Sequence, residues 1–240
     1  MKYLWEKEYT LRAGDFDKYN RIKPSAVLEL FQDAAGQHAE EIDVGYNNMI
    51  KRSYIWVLMK VKLKFISDPE RYKKVIIKTW PLAPGRLSYR REYSMENEKG
   101  ERLIGGSSEW VVMHSEKRRL VADPDLYPFT DGFITDMVFE EKLGKVPDFE
   151  IKGTPRIVNA GFSEIDVNNH VNNTKYANYV SDAVVPDEKD ILSEFQIDYR
   201  KEVAEGTQLR IYHSKEEEKV LAKGLNDNGD IMFACRLIYK

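Results

Sequence analysis

The chain has 240 residues, 42% of them hydrophobic and 32% charged, enough to bury one large core or two smaller ones. A formal net charge of -3 argues against bulk nucleic-acid binding, and a single cysteine, Cys235, excludes an intramolecular disulfide. Charges at Lys2, Glu6, Lys7 and Glu8 break the N-terminus too early for a signal-peptide apolar run, and no segment approaches the roughly 20 apolar residues of a membrane helix. The expectation is a cytoplasmic protein with neither a nucleic-acid nor a membrane partner.

The first predicted helix follows the stretch Asp17-Lys18-Tyr19-Asn20-Arg21-Ile22-Lys23-Pro24-Ser25. Val27, Leu30, Phe31, Ala34 and Ala35 recur at the spacing of one helix face, Pro24 suits a first turn, and Gly45 suits a stop. Strand patterns rich in β-branched and aromatic residues follow at 54–65, 74–80, 88–95 and 103–113, with a turn at Glu98-Lys99-Gly100. Residues 123–155 carry Pro124, Pro128, Pro147 and Pro155 and read as a linker, with room for a short helix at 139–143.

A second predicted helix follows Asp166-Val167-Asn168-Asn169-His170-Val171-Asn172-Asn173-Thr174. Tyr176, Tyr179, Val180, Ala183 and Val184 keep the helical period and Pro186 comes after them. Strand patterns then occupy 195–199, 208–213, 219–225 and 231–239, with turn residues at 226–229. Laid on the first copy without gaps, Asp166 falls on Asp17, Asn169 on Asn20, Val171 on Ile22, Thr174 on Ser25, and Asp182-Ala183 on Asp33-Ala34. Apolar matches are what any two amphipathic helices give; the shared Asp and Asn before the helix are not.

Each half therefore reads as a strand, a long helix and an antiparallel meander. A helix wrapped by a curved antiparallel sheet is the hotdog arrangement, so the expected class is α+β, a tandem or double hotdog. Its parts are residues 1–122 as the first unit, 123–155 as linker, and 156–240 as the second unit. One such unit leaves a sheet edge exposed; a tandem copy is the covalent form of a two-fold dimer. A monomer and a homodimer paired through an exposed strand both fit.

The two copies differ where chemistry would lie. Tyr19 and Arg21 stand in the first copy where Asn168 and His170 stand in the second. Asn and Asp before a helix also serve as caps and turns, the bland reading for Asn172 and Asn173. His38, His114 and His213 read as structural or exposed. A helix N-terminus offers unpaired N–H groups to a developing oxyanion. Hydrolysis also needs a group to activate water, and Glu202 is the candidate; flanked by Arg200 and Lys201, it reads equally as part of a solvated strand. The histidines are scattered, so no metal or other cofactor is expected.

The motif Asp166-x-Asn168-x-His170-Val171-Asn172-Asn173-x-x-Tyr176 resembles the signature of the acyl-ACP thioesterases of plant plastids and bacteria. Thr79-Trp80, Gly85-Arg86 and Arg90-Arg91, then Trp110 to Met113 with Arg118-Arg119-Leu120, and Asp198 to Glu202, resemble further stretches of that family in the same order. The resemblance implies a double hotdog that hydrolyses fatty acyl thioesters on the phosphopantetheine arm of acyl carrier protein. It also implies that Asp166, Asn168, His170 and Glu202 are catalytic, which makes 156–240 the catalytic half and 1–122 the acyl-binding half with a degenerate site. Plant members usually carry a cysteine after the last of these stretches; here Val203 stands there, and Cys235 lies in the last strand pattern as a small hydrophobe. No G-x-S-x-G elbow occurs.

The expected mechanism is direct hydrolysis. Glu202 acts as general base on water, His170 holds that water or the thioester, Asn168 orients them, Asp166 fixes the loop, and N–H groups at the helix start polarise the carbonyl. Whether Glu202 or His170 takes the proton stays open. Acyl carrier protein is acidic, and Arg86, Arg90, Arg91, Lys117, Arg118, Arg119, Arg200 and Lys201 are its candidate contacts. Val27, Leu30, Phe31, Trp56 and Leu58 are candidate walls for the acyl chain, whose length the sequence leaves open. An acyl-CoA thioesterase, a hotdog dehydratase and a non-catalytic acyl-thioester-binding module are the rival expectations.

Overall fold

The computed structural model describes residues 3–123 and 125–240. Pro124 of the expected linker and Met1-Lys2 of the N-terminal reading lie outside the described residues. The chain forms two compact units, Met1–Ile22 with Val27–Leu143, and Lys23–Ala26 with Gly144–Lys240.

In the first half, β1 (Trp5–Thr10) passes a single 3-10 turn at Ala13–Asp15 and leads to α1 (Pro24–Glu41), α2 (Tyr46–Lys51), β2 (Tyr54–Phe65), β3 (Lys74–Pro81), β4 (Tyr89–Glu96), β5 (Arg102–His114) and the short β6 (Leu120–Val121). In the second, β7 (Arg156–Asn159) passes a 3-10 turn at Phe162–Glu164 and leads to α3 (Lys175–Val184), β8 (Leu192–Tyr199), β9 (Gln208–Glu216), β10 (Lys219–Leu225) and β11 (Ile231–Tyr239). The pairings within each unit are antiparallel. Neighbours run β1-β3-β4-β5-β2 in one unit and β7-β9-β10-β11-β8 in the other. The order is the same in both, so the repeat seen in the residues is a repeat of topology.

Only the last three strands of each half form a meander, against the expected four. The strand that leaves the helix pairs instead with the last strand, β2 with β5 and β8 with β11. The first helix stops at Glu41 and not at Gly45. Asp43 takes a left-handed conformation (φ 61°), its N–H reaches Glu40 O and the Val44 N–H reaches Ala39 O at 2.9 Å, a Schellman closure. Gly45 then caps the start of α2. The second helix is short, ten residues, because Val185 turns left-handed (φ 49°) ahead of Pro186.

Helix α1 buries Val27, Leu28, Phe31, Ala34, Ala35 and His38, while Leu30, expected on the same face, is only half-buried. Consecutive glycines in β5 serve its two faces: a Cβ on Gly106 would meet Phe31 at 2.7 Å, and one on Gly105 would meet Val138 at 2.7 Å. The sheet thus admits the helix on one side and the connecting segment on the other.

That segment has no helix at 139–143. It runs extended, and polar side chains from the sheet take its backbone groups, which removes the local hydrogen bonds a helix would need. In the first unit Trp80 Nε1 donates to Asp136 O (2.9 Å), the Val138 N–H donates to Glu92 Oε2 (2.8 Å), Arg90 donates to the carbonyls of Phe139 and Glu141, and Lys60 Nζ donates to Leu143 O (2.9 Å). In the second unit Gln196 Nε2 donates to Gly144 O (2.7 Å), the Val146 N–H to Asp198 Oδ2 (2.8 Å), and Lys223 Nζ to Asp148 Oδ1 (2.6 Å) and Phe149 O (2.7 Å).

Two expected docking residues are spent here. Arg90 holds the segment and Glu92, and Arg91 is buried against His38 Nδ1 (2.9 Å) and Thr79 Oγ1 (3.2 Å). Neither presents a free guanidinium to a partner's surface.

Candidate active site

The loop before α3 is built by its own polar groups. Ile165 and Val171 form an isolated antiparallel bridge. Within it the Asp166 N–H donates to His170 O (2.8 Å), the Asn169 N–H to Asp166 O (3.0 Å), and the Asn168 N–H to Asp166 Oδ1 (2.8 Å). Asn169 adopts φ 62°, a left-handed conformation that asparagine tolerates better than most residues. Asp166 therefore fixes the loop, and the loop collects Asp166, Asn168 and His170 within five residues.

Asn172 is a cap. Its Oδ1 accepts from the Thr174 N–H (3.0 Å) and hydroxyl (2.8 Å), and its carbonyl accepts from the Lys175 N–H (3.0 Å). Two of the amides expected to polarise a carbonyl are thus already used. The exposed Asn168 carboxamide has no hydrogen-bond partner among the described residues, which leaves it open to a substrate oxygen.

Glu202 arrives from β8. The N–H groups of Arg200 and Lys201 both donate to Met232 O (2.9 and 3.1 Å) and the chain leaves the sheet. Val203 then accepts the Val171 N–H on its carbonyl at 2.8 Å. This backbone bond brings Glu202 Oε2 to 3.4 Å from His170 Nε2, with the two side chains 40% and 33% exposed. Tyr199 ties the same strand to the start of α3 by donating its hydroxyl to Asn173 O (2.8 Å). A carboxylate and an imidazole in partly open contact, beside a free carboxamide, can activate a water and hold a carbonyl oxygen.

Other thiol and phenol groups nearby are held neutral. Burial, and then the charge of Asp198, pushes the Cys235 thiol well above its ordinary range, so it is no nucleophile. Burial first, then the charges of Asp166 and Glu202, raises the Tyr176 phenol.

The remaining sequence-chosen residues lie as follows. Val27 and Phe31 are core, with Phe31 stacked on Tyr93 at 4.9 Å; Leu30 is half-buried. Trp56 sets its edge against Tyr89 (5.1 Å) and Trp110 (6.4 Å) and donates Nε1–H to Val44 O; Leu58 is half-buried and in register with Trp110. Arg118 and Arg119 are exposed after β5, and Arg200 is exposed after β8. Sequence reasoning missed what joins the loop to Glu202, namely the Val171–Val203 bond and the tyrosines around it. Tyr176 in the motif was the one available signal.

The first copy keeps the loop and carries Tyr19 and Arg21 at the Asn168 and His170 positions. The Asp17 N–H donates to Arg21 O (2.8 Å), Asn20 has φ 64°, and Asp17 Oδ1 accepts from the Tyr19 and Arg21 amides. The Arg21 guanidinium, at the His170 position, closes on Asp17 Oδ2 at 2.9 Å.

Strand order, helix placement and the paired loops define a tandem hotdog protein. The 12:0-ACP thioesterase from Umbellularia californica superposes with a TM-score of 0.86 at 23% identity, over 99% of this chain and 97% of that one. An acyl-ACP thioesterase from Bacteroides thetaiotaomicron gives 0.82 at 20% identity, over 99% and 98%. Residues 2–127 match the acyl-ACP thioesterase N-terminal domain and residues 154–236 the C-terminal domain; the chain belongs to the acyl-ACP thioesterase family. The palmitoyl-acyl carrier protein thioesterase of Gossypium hirsutum is 31% identical over 216 residues, 83% of this chain and 52% of that protein. The chain spans about half the length of the curated relatives it matches. Among the described residues no helix is long and apolar enough to cross a membrane.

Proposed function

We propose that this protein is a thioester hydrolase that releases fatty acids from acyl carrier protein, in the cytoplasm and in the service of fatty acid synthesis. The observation that carries the reading is the His170–Glu202 contact at 3.4 Å beside the Asp166–Asn168 loop, in the half matched to the family's C-terminal domain. Glu202 takes a proton from water as the oxygen attacks the thioester carbonyl. Asn168 donates to the carbonyl oxygen, and His170 holds the water or the leaving sulfur. The C–S bond then breaks, Glu202 returning its proton to the leaving sulfur, to give a carboxylic acid and the carrier's thiol. The identity of this family and its relatives' names support the carrier protein as partner; exposed Arg118, Arg119 and Arg200 supply cationic surface for an acidic carrier.

The test is thiol release from a chain-length series of acyl-ACPs with matched acyl-CoAs beside them. Hydrolysis favouring acyl-ACP, falling steeply with added salt, is the expected result. Faster hydrolysis of the CoA esters would reassign the carrier. Binding of both with no thiol released would make the protein an acyl-binding module and end the reading.

A further inference from the structure

The loop that carries His170 is attached to the Glu202 strand at more than one point. Val171, one residue after His170, donates its N–H to Val203 O at 2.8 Å. Asn173, three residues after His170, accepts the Tyr199 hydroxyl on its carbonyl at 2.8 Å. The two attachments differ in what stands behind them. Val203 lies past the end of β8, where the chain has left the sheet. Tyr199 is the last residue of β8, in register with Phe233 of β11, and its ring is edge-on to Tyr176 (5.4 Å, 83°). Its hydroxyl therefore ties the loop to the sheet itself. A single bond sets one distance and leaves the loop free to turn about it; a second bond two residues further on removes that freedom. Burial first, then Tyr176, raises the pKa of the Tyr199 phenol, so it serves as a neutral donor.

The first copy shows what goes with this hydroxyl. The Ile66 N–H donates to Leu103 O (2.9 Å) as the Arg200 N–H does to Met232 O (2.9 Å), and Phe65 is in register with Ile104 as Tyr199 is with Phe233. Phe65, 7% exposed, thus stands at the Tyr199 position, and Pro24 stands at the Asn173 position. The copy that carries Tyr19 and Arg21 in place of Asn168 and His170 also carries the ring without the hydroxyl. Its loop still closes through the Asp17 backbone and carboxylate, and its strand still pairs. Neither the strand nor the loop requires the hydroxyl in order to form. The hydroxyl occurs where the imidazole and the free carboxamide occur.

We propose, resting on the hydrolase reading, that Tyr199 is a positioning residue: by holding Asn173 O to the end of β8, its hydroxyl fixes the direction of the loop and with it the reach of His170 toward Glu202. A catalytic pair is held more exactly when its support comes from a strand than when it comes from a loop. The pair positioned here stands at 3.4 Å. A displacement of about 1 Å at a reacting group costs on the order of 100-fold in rate.

The experiment compares Tyr199→Phe with wild type. The substitution keeps the ring and reproduces what the first copy carries at this position, so the fold should accept it. The control is Tyr9→Phe, which removes from the first unit a phenol that donates to Asp33 Oδ2 (2.7 Å). Two readouts are taken: kcat and KM for acyl-ACP, and amide hydrogen exchange at Val171 and Arg200, whose N–H groups bond to Val203 O and Met232 O. The expected result for Tyr199→Phe is a fall in kcat of about 10- to 100-fold with KM within about twofold, and faster exchange at Val171 with exchange at Arg200 unchanged. Tyr9→Phe should show none of these changes. A kcat within about twofold of wild type, or unchanged exchange at Val171, overturns the proposal. Exchange that rises at Arg200 as much as at Val171 also overturns it, because the hydroxyl would then hold the sheet and not the loop. If wild type itself releases no thiol, the hydrolase reading fails and with it the positioning of a catalytic pair, whereas active wild type with an unaffected Tyr199→Phe sinks this inference alone.

Discussion

His170 Nε2 and Glu202 Oε2 stand 3.4 Å apart although 32 positions separate them in sequence (202 − 170), and a single backbone bond, Val171 N–H to Val203 O at 2.8 Å, carries the approach. The contact is longer than the usual hydrogen-bond distance of about 2.9–3.0 Å. Glu202→Gln keeps shape and hydrogen-bonding capacity but removes the base. Turnover of acyl-ACP should fall about 10²- to 10⁴-fold with little change in KM, read by thiol release. Near-normal turnover would remove Glu202 from the mechanism and leave His170 as the base.

Val203 and not a cysteine follows Glu202, and this chain's single thiol is Cys235, wholly buried in β11 with its pKa raised by burial. Hydrolysis here should be indifferent to thiol reagents. Treatment of the folded protein with N-ethylmaleimide should leave kcat unchanged, and mass spectrometry should find no label until denaturant is added, when one label per chain appears. Inactivation that tracks labelling of Cys235 would reopen a thiol route.

The repeat and the fold class were legible because each rests on local pattern; the polar loop of Asp166, Asn168 and His170 stood out in the same way, whereas Glu202 entered through the family resemblance. Helix period, strand alternation and a polar loop before a helix are written in neighbouring residues. What was not legible depends on distant pairing. Nothing near Leu192–Tyr199 says that it pairs with β11 and not with β9, and the boundary of α1 turned on Asp43 accepting a left-handed conformation. Arg90 and Arg91 read as surface cations until the connecting segment and His38 were seen to use them. Residues 139–143 look helical in composition, but Arg90, Glu92 and Lys60 compete for the backbone of that region and win.

Glu92 gives a pH test of how that segment is held. Its carboxylate is fully buried and accepts from the Ser107 hydroxyl (2.6 Å), the Val138 N–H (2.8 Å) and Arg90 Nε (2.7 Å). Burial outweighs these donors and raises the pKa above the ordinary 4.5. A raised folded-state pKa means that its share of stability is complete below about pH 4.5 and is lost as pH rises through the raised value. Urea unfolding of wild type and Glu92→Gln from pH 4 to 7 should show wild type losing ground to the variant as pH rises. A difference that grows in wild type's favour with pH would mean that the three donors prevail over burial.

The N–H groups of Ile66 and Ser67 both donate to Leu103 O as those of Arg200 and Lys201 do to Met232 O, so Asp68 stands where Glu202 stands, and the first copy, with Asp17 and Asp68, has two carboxylates in the same frame and should still be silent. Arg21 closes on Asp17 with Nη2 at 2.9 Å and Nε at 3.0 Å from one oxygen, and its side chain is only 13% exposed. No imidazole faces Asp68 from that loop, since Arg21 occupies the position. Arg21→Ala should therefore lower stability by about 1.5–3 kcal/mol, the range of a hydrogen bond to a charged group, and leave kcat within about twofold. Asp68→Asn should likewise leave kcat unchanged, while Glu202→Gln at the matching position abolishes most of it. Urea unfolding and thiol release on the same three preparations decide the matter. A drop in kcat for Asp68→Asn comparable to that for Glu202→Gln would show that both copies take part in the reaction, and that Arg21 is a functional substitution and not a structural clasp.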